Sequence, residues 1–431
     1  MIIIPNPIQQ RERMKDTKAL NIPTLSGNLC NQNLLQAAQQ FQTPLFVYDF
    51  NQIAQKYEQL KLAFGGRKML ICYALKANSN LSVIKKLATL ESGADCVSLG
   101  EIKRSIIAGI PAYKIIYSGV GKQDYEIQEA LKIGILFINI ESKEELLRIE
   151  KIAKTMNINA RISIRVNPDI NAQTHPYIST GLKENKFGVS IEEAKSLYLY
   201  AHNSKVLEPI GIHFHIGSQL TKLTPIEESA QKIASLAHSL LALKINLKFF
   251  DIGGGIGITY DDETAINPYD YAQAILETLR GLDMTIICEP GRFIVGNSGV
   301  FLTKVLLEKE NQDKRFIIVD GAMNDLIRPS LYNAYHQIIP LKDTKAHQSL
   351  ADVVGPICES GDYLGKNIAL PKLERGDILA ILSVGAYGFS MSSNYNTRTK
   401  CAEVAIEDGK LRLIRKRESF EDLIALEKDY L

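Results

Sequence analysis

Between Lys68 and Glu289 the chain alternates short apolar runs with stretches of helical spacing, and it does so eight times. The runs occupy residues 68–75, 94–99, 114–119, 136–140, 160–167, 209–217, 247–254 and 284–289. They are rich in Ile, Val and Phe. Several are apolar on both faces, as strands of a parallel sheet covered by helices must be. Between them, NSNLSVIKKLATLES opens on polar residues and places apolar ones at 81, 83, 84, 87 and 90. Ser142 with Glu145 three positions later makes a capping-box pair at the head of another helix. Eight strand–helix units of this length match a (β/α)8 TIM barrel. An open doubly wound sheet has the same periodicity and remains the structural rival.

The rhythm changes after Arg292. FIVGNSGVFLTKVLLEKENQDKRFIIVD reads as two strands around a polar turn at 308–314, and KLERGDILAILSVGAYG and TKCAEVAIEDGKLRLIRKR read as further strands separated by turn residues. The expected fold is therefore α/β: a (β/α)8 barrel over residues 44–295, plus an antiparallel β-domain built from residues 1–43 and 296–431. TPLFVYD, residues 43–49, is expected as a strand entering the barrel domain. The residues before Asn21 carry no pattern that ties them to either part and are expected as an extension.

Composition narrows the function. Fifty basic and 48 acidic residues leave a formal charge of +2, so there is no basic field for nucleic acid and no polybasic patch for a membrane. No apolar run is long enough to span a bilayer. The opening MIIIPNPIQQRERMKD lacks the order of a secretory signal, and the cytoplasm is the expected location. Six scattered cysteines form no CxxC and no zinc-type spacing with histidine, so neither a disulfide framework nor a metal site is expected.

The chemistry-bearing residues sit at strand ends. Lys76 closes the first barrel strand, His215 the sixth, Asp251-Ile-Gly-Gly-Gly the seventh, and Glu289-Pro-Gly-Arg292 the eighth. Each has an ordinary explanation alone: a solvated lysine, a structural histidine, a tight turn, a turn with an ion pair. In a barrel, however, all four share the face where active sites are built. Glycines at 253–255 let backbone N–H groups approach an anionic phosphate. Glu289 could hold a proton on a ring nitrogen, an imidazole at 215 could lie on a ring face, and a lysine in apolar surroundings suits imine formation. Together they describe a pyridoxal phosphate site, with the ring as electron sink.

YALKAN, GADCVSLGE, GIHFHIGSQ, DIGGG, EPGR, GPICESGD and GAYG resemble the alanine-racemase-type, barrel-fold pyridoxal phosphate enzymes, and among them the diaminopimelate decarboxylase family. The segments 174–188, 215–219, 323–336 and 358–362 separate that family from its decarboxylase relatives. The resemblance implies that Lys76 tethers the cofactor, that His215 stacks on its ring and that Glu289 pairs with the ring nitrogen. It assigns the phosphate to Gly253, Gly254, Gly255, Ser218, Gly291, Arg292 and Tyr387. Arg161 would support the ring oxygen, with Arg165 close by as the alternative. Asp95 either orients Lys76 or caps the following helix. Arg292, Arg328 and Tyr332, with Tyr387, would clamp the substrate's distal carboxylate, Glu359 its distal ammonium, and Cys358 would protonate the carbon that loses carbon dioxide. The resemblance further implies a homodimer in which Cys358 and its neighbours complete the partner's site, and meso-diaminopimelate as substrate, converted to L-lysine. Related decarboxylases of ornithine, arginine or carboxynorspermidine are the rival reading. A barrel enzyme without this cofactor is a further one.

Overall fold

The structure, a computed structural model, describes residues 25, 27–171, 180–181, 185–312, 314–342 and 347–431. The first strand, β1 (Leu45–Asp49), is followed by eight that close into a parallel barrel: β2 (Met69–Ala74), β3 (Gly93–Cys96), β4 (Ile115–Tyr117), β5 (Phe137–Ile140), β6 (Ala160–Arg165), β7 (Leu207–His213), β8 (Phe249–Asp251) and β9 (Thr285–Cys288). Closure runs through β2 and β9, with Leu70 opposite Ile287 and Ile71 opposite Cys288. All eight apolar runs thus became barrel strands, and the open-sheet alternative is excluded. Helices follow the strands as their spacing required. Leu81–Thr89 starts on Asn80, whose side chain accepts from the Ser82 amide. At Ser142 only half of the capping box forms: its hydroxyl accepts from the Glu145 amide, while Glu145 turns to the amide of Glu141.

The barrel interior is layered. Cys72, Ile116, Phe137, Ile210 and Ile287 form an apolar cluster, joined by Leu70 and Phe249. Polar side chains also point inward: Asp95, Asn139, Ser163 and Asp251 are all fully buried. The main core lies between strands and helices, where the second apolar face of each strand is spent.

The second sheet contains β1 with β10 (Gly299–Asn311), β11 (Lys314–Val319), β12 (Ile338–Pro340), β13 (Gln348–Val354), β14 (Tyr363–Pro371), β15 (Ile378–Ile381), β16 (Ala402–Glu407) and β17 (Lys410–Arg415). Two features differ from expectation. LFVYD does not enter the barrel: it is the buried central strand of this sheet, antiparallel to β10 and parallel to β16. All five of its residues are buried, which a central position explains. The sheet is also mixed rather than antiparallel, because β1–β16 and β11–β13 pair in parallel. A helix, Asn31–Phe41, covers one face, with Leu34 and Ala37 in a cluster with Leu45, Val47, Val300 and Val404.

The two parts meet at Lys76. The Tyr387 amide and the Ser390 hydroxyl both donate to the Ala77 carbonyl, and the Asn78 side chain donates to the Gly385 carbonyl. The segment after β15 is thereby laid across the barrel mouth. All six cysteines are unpaired. Among the described residues no helix is long and apolar enough to cross a membrane. The stretch before Asn21 lies outside the described residues.

Candidate active site

Strand β2 ends at Ala74, and one 3-10 turn, Leu75–Ala77, carries Lys76. Its Nζ lies 2.8 Å from Asp95 Oδ2; Asp95 is wholly buried, whereas the lysine side chain keeps 37% of its exposure. The amine is therefore held yet reachable. Burial pulls its pKa down, but Asp95, Glu289 and Tyr387 outweigh burial and raise it. The sequence ascribes the reactivity of this amine to apolar surroundings. The fold instead gives it a carboxylate seat that favours the ammonium, because the third residue of β3, Asp95, is an acid. The helix after β3 is capped by Ser98, which accepts from the Glu101 amide, so Asp95 is left to Lys76.

Glu289, just past β9, is buried. Its Oε2 lies 3.5 Å from His213 Nε2, the last residue of β7, and its Oε1 has no partner among the described residues. Burial would raise this carboxyl, but the imidazole of His213 foremost, with Lys76 and His215, drives it down. Asp251 goes the other way: burial first, then Glu289, push it well above the ordinary carboxylate range. Donor atoms of His213, Asp251 and Glu289 lie within 4.8 Å of one another, a spacing that suits one shared proton or one cation. Burial and Glu289 thus favour the neutral form of Asp251, while His213 and Lys76 favour the charged form of Glu289.

Among the described residues, most of the partnerless buried polar atoms collect in and around this mouth: Asp95 Oδ1, Asn139 Oδ1, Ser163 Oγ, both nitrogens of His213, Asp251 Oδ2, Glu289 Oε1 and Arg292 Nε. Folded chains rarely leave such atoms unpaired, and a cluster of them marks a place built for something else.

After β8 the chain turns on glycine. Gly253 and Gly255 have φ of 65° and 108°, where side chains are strained, and a Cβ on Gly253, Gly254 or Gly255 would collide with the carbonyl of Phe214, Glu289 or Gly217. Asp251 Oδ1 accepts from the Gly253 amide and shapes the turn. The Gly254 amide donates to His215 Nδ1 at 3.1 Å, so the ring proton of a neutral His215 sits on Nε2. Burial, Arg165 and Lys76 lower the pKa of this imidazole well below its usual value. Gly291 packs against Ala77 and Ala74, where a side chain would intrude on the Lys76 turn.

Arg165, not Arg161, serves this histidine. Arg165 pairs with Glu141 at 3.0 Å and donates to the His215 carbonyl. Arg161 donates to the carbonyls of Gly134 and Ile135, before the start of β5. It lies at the opposite end of the barrel, four residues back along β6, and takes no part in the mouth.

Arg292 and Arg328 are buried to 5% and 7% exposure. Arg292 donates to Ser218 Oγ at 3.0 Å and to the Tyr260 hydroxyl at 2.5 Å, and lies 4.9 Å from the Tyr387 ring centre. Arg328 lies 5.3 Å from the Tyr260 ring and 5.9 Å from that of Tyr332. Burial, together with Arg292, disfavours charge on Arg328, and only phenols compensate. A cavity of about 220 Å³ opens between them, lined by Arg292, Arg328, Tyr332, Tyr260 and Gln219 and also by the acids Asp261 and Glu263. Among the described residues neither guanidinium is ion-paired with a carboxylate, Asp261 and Glu263 of the lining included, and two such buried cations make a seat for an anion.

Cys358 and Glu359 are not in this mouth. Both are exposed on the turn between β13 and β14, which Asp362 holds by accepting from the amides of Met323 and Ile357. Glu359 accepts from the Tyr395 hydroxyl. Among the described residues neither side chain touches the Lys76 cluster within one chain. The segment 174–188 lies mostly outside the described residues.

Sequence reasoning missed His213, Tyr260 and His336 and gave Asp251 no role of its own. For His213 a signal existed, since residues 213 and 215 share one face of a strand. Tyr260 lies in a loop and carries none, whereas His336 closes the family-marking segment 323–336 but was given no role.

The family model described as "Pyridoxal-dependent decarboxylase, pyridoxal binding domain" matches residues 50–296. The diaminopimelate decarboxylase of Campylobacter jejuni is 58% identical over 397 residues, 92% of this chain and 98% of that protein. That of Aquifex aeolicus is 47% identical over 395 residues, 91% and 93% of the two chains. The crystal structure of the Helicobacter pylori diaminopimelate decarboxylase complexed with L-lysine superimposes with a TM-score of 0.90 at 58% identity, covering 93% of this chain and all of that one.

Proposed function

The chain belongs to the diaminopimelate decarboxylase family of pyridoxal-dependent decarboxylases, and we infer from that premise how its residues divide the work. It is a carboxy-lyase that converts meso-2,6-diaminopimelate to L-lysine and carbon dioxide, the last step of lysine biosynthesis.

The residues present fit pyridoxal phosphate. Glu289 offers a buried carboxylate oxygen, partnerless among the described residues, to a protonated ring nitrogen, the 253–255 turn tolerates no side chain, and Lys76 presents an accessible amine. When bound, the cofactor supplies an electron sink for the pair released as carbon dioxide leaves. Lys76 would anchor it, with Asp95 orienting the amine. His215 would lie on the ring face as a neutral imidazole, its Nδ1 fixed by the Gly254 amide. Glu289 would hold the proton on the ring nitrogen, which a carboxylate driven toward its charged form can do. Ser218, Gly253, Gly254, Gly255, Gly291, Arg292 and Tyr387 are the candidates for the phosphate. Arg165 supports the His215 carbonyl and takes the place first given to Arg161.

Arg292, Arg328 and Tyr332 would grip the carboxylate that stays on the product. That seat carries the substrate assignment: ornithine and arginine have no second amino-acid head to fill it. Cys358, as proton donor to the reacting carbon, and Glu359, as partner of the distal ammonium, would act on the site of a second subunit in a homodimer, in keeping with their exposure here. We place the enzyme in the cytoplasm, where unpaired cysteines stay reduced.

The test is release of carbon dioxide by purified protein with added cofactor, offered meso-diaminopimelate, ornithine, arginine or carboxynorspermidine. Turnover confined to meso-diaminopimelate, and lost in Lys76→Ala, is the expected result. Preference for one of the others would overturn the assignment.

A further inference from the structure

Between the helix Arg328–Tyr332 and β12 lies a histidine that the reaction does not obviously need. His336 is 2% exposed. Its Nδ1 lies 2.9 Å from the Leu382 carbonyl. A carbonyl only accepts, so Nδ1 carries the proton and Nε2 is left with a lone pair. Arg328 Nε lies 3.3 Å from that Nε2 and donates to it. The Tyr260 ring stands edge-on to the imidazole at 5.4 Å and also lies under Arg328 and Arg292.

We propose that His336 is a positioning residue for substrate specificity: it fixes Arg328 by its Nε while leaving the guanidinium's charge and its two terminal nitrogens to the substrate's retained carboxylate. This rests on the clamp reading above and deepens it. The choice of residue follows from electrostatics. A carboxylate at 336 would hold Arg328 as firmly but would neutralise it, and a buried ion pair would then compete with the substrate. A neutral imidazole accepts one hydrogen bond and leaves the charge uncancelled. Burial first, then the cations Arg328 and Arg292, keep His336 neutral, against the Leu382 carbonyl, which favours its protonation; Tyr260 faces it as an uncharged phenol. Tyr260 completes the device, since one ring supports both guanidiniums.

The test separates carboxylate recognition from general damage. Cofactor-loaded protein is titrated calorimetrically with L-lysine, which keeps the retained carboxylate, and with 1,5-diaminopentane, the same chain without it. Native protein should prefer L-lysine. His336→Phe should lose about tenfold in affinity for L-lysine, the worth of one hydrogen bond to a charged group, with 1,5-diaminopentane affected by less than about twofold. His336→Gln, which can accept and donate at similar positions, should recover most of the loss. His336→Glu should bind the two ligands about equally. In turnover, KM for meso-diaminopimelate should rise more than kcat falls. Equal weakening of both ligands in His336→Phe, or an undiminished preference for L-lysine in His336→Glu, overturns the proposal. If His336→Phe does not fold, the Gln and Glu variants decide. A native protein that does not prefer L-lysine refutes the clamp itself, and the proposal with it, whereas loss confined to the variants' recognition of carboxylate leaves the clamp standing.

Discussion

Replacing Asp95 by asparagine should make Lys76 more reactive in the cofactor-free protein, not less. Two unit charges 2.8 Å apart attract by about 6 kcal/mol at an effective dielectric of 20. The lysine side chain is 37% exposed, and screening by water cuts this to about 3 kcal/mol. At 1.36 kcal/mol per unit, the Lys76 pKa falls by about two units when the carboxylate is removed. The sign follows from the balance at the site: burial already lowers this pKa, and Asp95 is the first of the groups that raise it. More of the amine is then unprotonated at any pH below its midpoint. The assay is modification by trinitrobenzenesulfonate across a pH series, with labelling at Lys76 read by peptide mass spectrometry against exposed lysines as internal references. Circular dichroism shows that the variant is folded. A midpoint that moves by less than about half a unit, or moves upward, would show that Asp95 does not set the charge of Lys76.

Arg328→Lys should raise KM for meso-diaminopimelate by about tenfold or more, since an ammonium cannot offer the two-pronged contact, with cofactor affinity unchanged by titration; an unchanged KM would remove Arg328 from the clamp. Equal amounts of Lys76→Ala and Cys358→Ala proteins, mixed under conditions that exchange subunits, should recover up to about a quarter of native turnover, because random pairing makes half the dimers hybrids with one intact site each. Absence of any recovery would count against a shared site. His336, lowered from the ordinary 6.5 to about 3 by burial and then Arg328, resists the proton that the unfolded chain accepts. Stability from this source is complete above about pH 6.5 and declines by about 1.4 kcal/mol per unit as pH falls toward 3. Urea titrations should therefore show His336→Gln losing less stability than native protein over that window, and parallel losses would place His336 elsewhere.

The barrel was legible because its periodicity is local. A strand buried on both faces must be apolar throughout, and a helix covering it must repeat its apolar residues every three or four positions. Eight such units leave few architectures. Lys76, His215, the glycine turn and Glu289 were legible for the same reason: each lies at or just beyond a strand end, and a barrel gathers those ends at one mouth. What only the tertiary structure decided depends on contacts between segments distant in sequence. LFVYD reads equally well as a barrel strand or as the centre of another sheet, and only its pairing with 299–302 and 402–406 chooses. Arg161 and Arg165 lie on one strand four residues apart; the direction of the barrel, not their flanking sequence, sends one to the bottom and the other to the mouth. The charge of Lys76 was misjudged because apolar neighbours in sequence say nothing of a carboxylate nineteen positions away. Tyr260 and His336 meet Arg328 from separate loops, and no local spacing announces a meeting that only the closed fold brings about.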